Sequence, residues 1–149
     1  MALVHSRAAR RGYSSASGRP ALALNLAVFA GGCLGALARF GLLEALPVRP
    51  GAWPWATLIA NVAGCALLGA VSARLLRGER PSRHRGPLLG AGLCGALTTF
   101  ATVQVEAVLL IEGGHVATGV SYLFSTVISG LLAAHLAGRL AAPRGTGAR

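Results

Sequence analysis

The chain has 149 residues, 54% of them hydrophobic, with 14 Lys or Arg against four Asp or Glu. That length holds one domain at most, and its apolar residues gather into four blocks of about 20, enough to cross a bilayer as a helix. Such blocks argue against a soluble bundle, whose helices carry a polar face. With 5% aromatics and arginines lying between the blocks, they also argue against a nucleic-acid surface.

Residues 1–20 contain Arg, Ser and Gly and read as a disordered basic tail. The pair Arg10-Arg11 resembles a twin-arginine signal, but no small-residue cleavage site closes a short apolar region, so the next block is read as a retained helix. That first span covers Ala21 to Leu43, with Gly31 and Gly35 spaced for close helix contact and Arg39 near its end. The second, Trp55 to Leu76, repeats the small-residue spacing at Ala60 and Gly64 and holds Asn61 in mid-span. In the third, Pro87 to Ile111, the segment from Gly92 to Thr98 is expected to break the helix. Thr99, Thr102 and Glu106 then fall at i, i+3 and i+7, on one face. The fourth, Val116 to Leu140, carries Gly130, Ala134 and Gly138 together with a hydroxyl stripe of Ser121, Tyr122, Ser125, Thr126 and Ser129. Residues 141–149 form a short tail. Cys33, Cys65 and Cys94 each lie in a different span and read as small packing residues. The expected fold class is therefore an all-α membrane protein of four transmembrane helices.

All 14 basic residues are arginine: four precede the first span, five lie around the second connection and three at or after the end of the fourth span, twelve in all. The first connection has only Arg49, and the third has none. Cytoplasmic loops retain Lys and Arg, which predicts a multi-pass protein of the cell membrane with both termini cytoplasmic.

Polar groups are costly in hydrocarbon and mark a site or a pathway by default. A lone Ser or Thr commonly bonds its own backbone, but stripes on three spans ask for a further reason. Asn, Thr, Ser and Tyr are uncharged donors. A row of them without Lys or Arg suits an anion that must be desolvated yet still leave. The positive ring edge of Phe100 adds to that row. Glu106 is the odd member, since a carboxylate repels anions; it needs a pairing with hydroxyls or Arg39, or a place off the path. Asp is absent, and His5, His84, His115 and His135 sit at termini, loops or helix ends, so no catalytic set forms and no enzyme is expected. Carbonyls freed by a broken third helix suit a small hard cation such as sodium.

Four stretches, one per span, carry a resemblance: GGCLGALARF, ATLIANVAGCALLG, GLCGALTTFATVQVE and SYLFSTVISG. Together they resemble the CrcB/Fluc family of fluoride channels over about Gly31 to Gly138. The most specific is the G-x-x-G-x-x-T-T-F run followed by a Glu six residues after the Phe. The resemblance implies a dual-topology-type antiparallel dimer with two pores along the subunit interface, through which fluoride leaves the cytoplasm passively. It further implies that Asn61, Phe100, Thr102, Tyr122 and Thr126 line the fluoride pore. Gly95 and Thr98 would offer backbone carbonyls to a structural sodium at the dimer centre, and Arg39 would be an electrostatic or vestibule residue. Thr99 and Glu106 belong to the same motif.

Two positions depart from the family pattern T-T-F-S-T-F, which here reads TTFATV. Ala101 lacks the serine's donor, and Val103 lacks the quadrupole of the second phenylalanine. The pore receiving them is expected to conduct poorly or not at all. The twelve-to-one arginine bias also opposes a homodimer, which needs one chain to insert both ways. The expectation is a heterodimer with an inverted paralogue. Two other readings are a non-conducting structural subunit and a small four-helix multidrug exporter. The exporter needs a mid-membrane carboxylate in the first span, which has only Glu44, at its end.

Overall fold

The computed structural model describes residues 18–76 and 84–141. Most of the basic tail, Arg77, Arg80 and Arg83 of the second connection, and the tail after residue 141 lie outside the described residues. Among the described residues every regular element is helical. Helix α1 spans Gly18–Ala45 and α2 spans Trp55–Leu76. A run of three helical pieces follows, Arg85–Pro87, Leu88–Cys94 (a π-helix) and Gly95–Leu97, together called α3. Then come α4, Phe100–Glu112, and α5, Val116–Leu140. Four stretches are long and apolar enough to span a bilayer: Ala21–Ala45, Trp55–Leu76, Arg85–Glu112 and Val116–Leu140. The 22 residues of α2 extend about 33 Å at 1.5 Å per residue, close to a bilayer core of about 30 Å. This is a multi-pass membrane protein.

Large apolar side chains point outward on every span, among them Phe29 and Phe40 of α1, Phe100 and Leu109 of α4 and Phe124 of α5. In water that surface would be untenable; in lipid it is the ordinary outside. The helices instead meet through small residues. A Cβ on Gly31 would overlap the Leu88 carbonyl and one on Gly35 the Leu93 carbonyl, so α1 lies directly on the backbone of α3. A Cβ on Gly69 would strike the Ala134 carbonyl, and α2 packs more extensively on α5 than on any other element. Gly69 thus joins the small-residue contacts read from spacing, Ala134 among them, while Gly130 receives Cys65, whose Sγ would lie 3.3 Å from an added Cβ.

The turn between α4 and α5 is short because Gly114 adopts φ 82°. Its N–H donates to Ile111 and that of His115 to the Leu110 carbonyl, at 3.0 and 2.8 Å. This is a Schellman cap, in which a left-handed residue reverses the chain and meets the last carbonyls. The first connection arrives at the same end: Gly51, at φ 74°, lies so close to the His115 ring that no Cβ fits. The arginine-poor connections therefore share one end of the bundle, and the arginine-bearing helix ends face the other.

Candidate functional site

The third span is joined from helical pieces and bends between α3 and α4. Thr98 (φ −82°, ψ 147°) and Thr99 (φ −149°, ψ 124°) are extended, and this takes the Thr99 amide out of the helical ladder. Apolar surroundings cannot leave such groups unmet. Asn61 meets both: Thr99 N–H donates to its Oδ1 at 2.8 Å, and its Nδ2 donates to the Thr99 carbonyl at 3.0 Å. The Asn side chain thus replaces the missing stretch of ladder, and one of its two Nδ2 hydrogens remains for another acceptor. The Thr99 hydroxyl caps α4 by accepting from the Thr102 amide, and it shares a hydrogen bond with the Thr102 hydroxyl at 3.0 Å. Thr98 folds back, its hydroxyl donating to the Cys94 carbonyl at 2.8 Å.

One turn nearer the arginine-poor end lies a second polar level. Glu106 accepts from the Thr57 hydroxyl at 2.7 Å and, on its other oxygen, from the Tyr122 hydroxyl at 2.6 Å. Thr57 and Tyr122 are buried, at 1% and 0% exposure. Hydroxyls, the first of the two partners expected for Glu106, hold the carboxylate. Thr57 precedes Asn61 by four residues and so presents on the same face of α2; that i, i+4 spacing was the sequence signal for a residue the motif reading passed over. Trp53, just before α2, was also passed over. Its ring meets Tyr122 at 83° with centroids 5.8 Å apart, and it packs against the cluster of Val103, Ala107, Leu110 and Tyr122.

Each level opens on a cavity. About 330 Å³ is lined by Asn61, Thr98, Thr99, Phe100 and Thr126, among others. About 460 Å³ at the arginine-poor end reaches Glu106 past Arg49 and His115. Asn61, Thr99, Thr102, Glu106, Tyr122 and Thr126 are thus drawn into one line between α2, α4 and α5. Phe100 borders it while remaining 64% exposed. Gly95 is exposed on α3, with open space where a Cβ would stand. Arg39 stays apart, partly exposed on α1, which packs chiefly on α3. The α5 stripe is less uniform than its spacing implies. The Thr126 hydroxyl donates to the Tyr122 carbonyl, and Ser121 and Ser129 likewise bond carbonyls of their own helix. Val103 is fully buried and Ala101 exposed.

A family model described as "CrcB-like protein, Camphor Resistance (CrcB)" matches residues 26–138. The chain belongs to this family. Among similar CrcB-like relatives, the "Fluoride-specific ion channel FluC 1" of Mycobacterium bovis is 50% identical over 111 residues, covering 74% of this chain and 84% of that one. The "Fluoride-specific ion channel FluC 2" of Nocardia farcinica is 39% identical over 109 residues, 73% of this chain and 78% of that one. The "Fluoride-specific ion channel FluC" of Chlorobium phaeobacteroides is 34% identical over 116 residues, 78% and 91%. The resemblance read from the four stretches is upheld, and the CrcB-like family is one of ion channels, not enzymes.

Proposed function

We propose that the chain is a subunit of a fluoride-specific channel that lets cytoplasmic fluoride run out passively. One observation carries the reading: a two-level polar line, with Asn61 and Thr102 at one level and Thr57 and Tyr122 held by Glu106 at the next, runs between three helices of a chain 50% identical over 111 residues to a fluoride channel, and one Nδ2 hydrogen of Asn61 is uncommitted. Fluoride is small and strongly hydrated, so crossing requires hydrogen-bond donors in place of water. Asn61, Phe100, Thr102, Tyr122 and Thr126 line that path, with the remaining Nδ2 hydrogen of Asn61 and the edge of Phe100 facing the anion. Fixed donors without a fixed cation release it again. One charge crossing the potential is worth ~2.3 kcal/mol per 100 mV, so an interior-negative membrane drives the export unaided.

The working unit is an antiparallel dimer, and the partner is a paralogue inserted the other way. The twelve-to-one arginine bias supports one orientation, both termini cytoplasmic, in the inner or plasma membrane. The numbered names FluC 1 and FluC 2 among the relatives agree with pairs of such subunits. A structural sodium fits the interruption. A helix that stops at Leu97 leaves its last carbonyls without helical donors, and such oxygens suit a hard cation. Gly95 and Thr98 would hold it, and its charge would tie the two subunits together.

Fluoride efflux from liposomes tests the proposal, with this chain reconstituted alone and together with an inverted paralogue. Efflux only from the pair supports it. No efflux from either sinks the channel reading, and robust efflux from the lone chain sinks the heterodimer. A second reading, a subunit that assembles without conducting, draws on Val103, which is packed inside the subunit's own core. Unchanged flux after substitution of Asn61 or Phe100 in the assembled pair would favour it.

A further inference from the structure

Among the described residues, a single buried side-chain nitrogen or oxygen has no hydrogen-bond partner: Nε1 of Trp53. Indole N–H only donates. Left unmet in an apolar interior it carries the full desolvation penalty, and such an orphan asks for a ligand or a functional role. Its setting narrows the choice. Trp53 stands just ahead of α2, edge-on to the ring of Tyr122, whose hydroxyl belongs to the level of Glu106 and Thr57. The other donors at that level are already engaged, since both hydroxyls donate to the carboxylate. The geometry is the reverse of a merely structural tryptophan, whose N–H finds a carbonyl or a polar rim. Aromatic faces are weak acceptors and do not replace a proper partner.

We propose that the Trp53 indole N–H is a donor to the transported anion at the arginine-poor end of the path. The proposal rests on the fluoride-channel reading. It adds a residue that takes up the ion where Thr57 and Tyr122 are held by Glu106. The ligand class is a small, hard, hydrogen-bond-accepting anion, for which a single uncharged N–H packed among Val103, Ala107, Leu110 and Tyr122 discriminates against larger and softer halides. Trp55, two residues on, is 56% exposed and serves as the internal control.

The chain has two tryptophans, so selective ¹⁵N labelling of the indoles in the conducting complex yields two assignable signals. Sodium fluoride is titrated against sodium chloride at constant ionic strength, and flux is measured on the same preparation. A saturable downfield shift of the Trp53 N–H proton with fluoride but not chloride, with Trp55 unmoved, is the expected result. Trp53→Phe then keeps the ring and removes the donor, and fluoride flux falls roughly tenfold, as for the loss of one hydrogen bond to a charged partner. A Trp53 signal that does not respond in a complex that conducts fluoride overturns the inference and leaves the channel reading intact. A complex that conducts no fluoride overturns the channel reading itself, and this inference with it. Should Trp53→Phe fail to assemble, the titration of the native complex still decides.

Discussion

Replacing Asn61 with alanine removes both halves of the clamp on the extended Thr98–Thr99 segment of the third span. The Thr99 N–H loses its acceptor at 2.8 Å and the Thr99 carbonyl its donor at 3.0 Å, at a site where Asn61 is 8% exposed. An unmet buried polar group costs about 1–3 kcal/mol. Interhelical hydrogen bonds in membrane proteins average about 0.6 kcal/mol and reach about 1.7, because the unfolded reference also finds partners. These two groups belong to extended backbone with no helical alternative, so the upper part of that range applies, and the loss is about 2–4 kcal/mol. Asn61→Leu, which restores volume without the bonds, recovers little of it. The assay is reversible unfolding of the detergent-solubilised protein, with amide hydrogen exchange at Thr99 as the local readout. A loss under about 0.5 kcal/mol with the Thr99 amide still protected would refute the clamp, since the backbone would then have another partner.

Three further substitutions test other contacts. Tyr122→Phe strips one donor from the Glu106 carboxylate; the expected destabilisation is about 1.5–3 kcal/mol, the range for a hydrogen bond to a charged group, read by the same unfolding assay. Gly31→Ala forces a methyl into the Leu88 carbonyl and is expected to cost about 1–3 kcal/mol and to weaken crosslinking between cysteines placed on α1 and α3. Val103→Phe restores the family residue at a position with 0% exposure, packed on Ala107, Leu110 and Tyr122. It is expected to lower stability by about 1–3 kcal/mol through overpacking, and to leave fluoride flux of the assembled pair no higher than before.

The spans were legible residue by residue. Trp55 to Leu76 and Val116 to Leu140 are the helices found, and the first and third expected spans fall within three residues of theirs. Hydropathy over a bilayer's thickness is a local sum, and in hydrocarbon a helix satisfies its own backbone, so the elements follow from the chain alone. The polar face of Thr99, Thr102 and Glu106 was legible for the same reason, being a matter of spacing along one helix.

What each polar group bonds to was decided by the fold. Asn61 reaches Thr99 across 38 residues and Thr57 reaches Glu106 across 49; the choice between hydroxyls and Arg39 for that carboxylate depends on which helices touch. Stripe spacing placed Thr126 and Ser129 on α5 but left open that both hydroxyls bond their own helix. The Trp53 nitrogen is unmet only because α4 and α5 close over the first connection. Composition and periodicity determine where the membrane segments run. Which donors are already engaged and which stay free depends on distances between helices, and these arise only when small residues let the backbones approach.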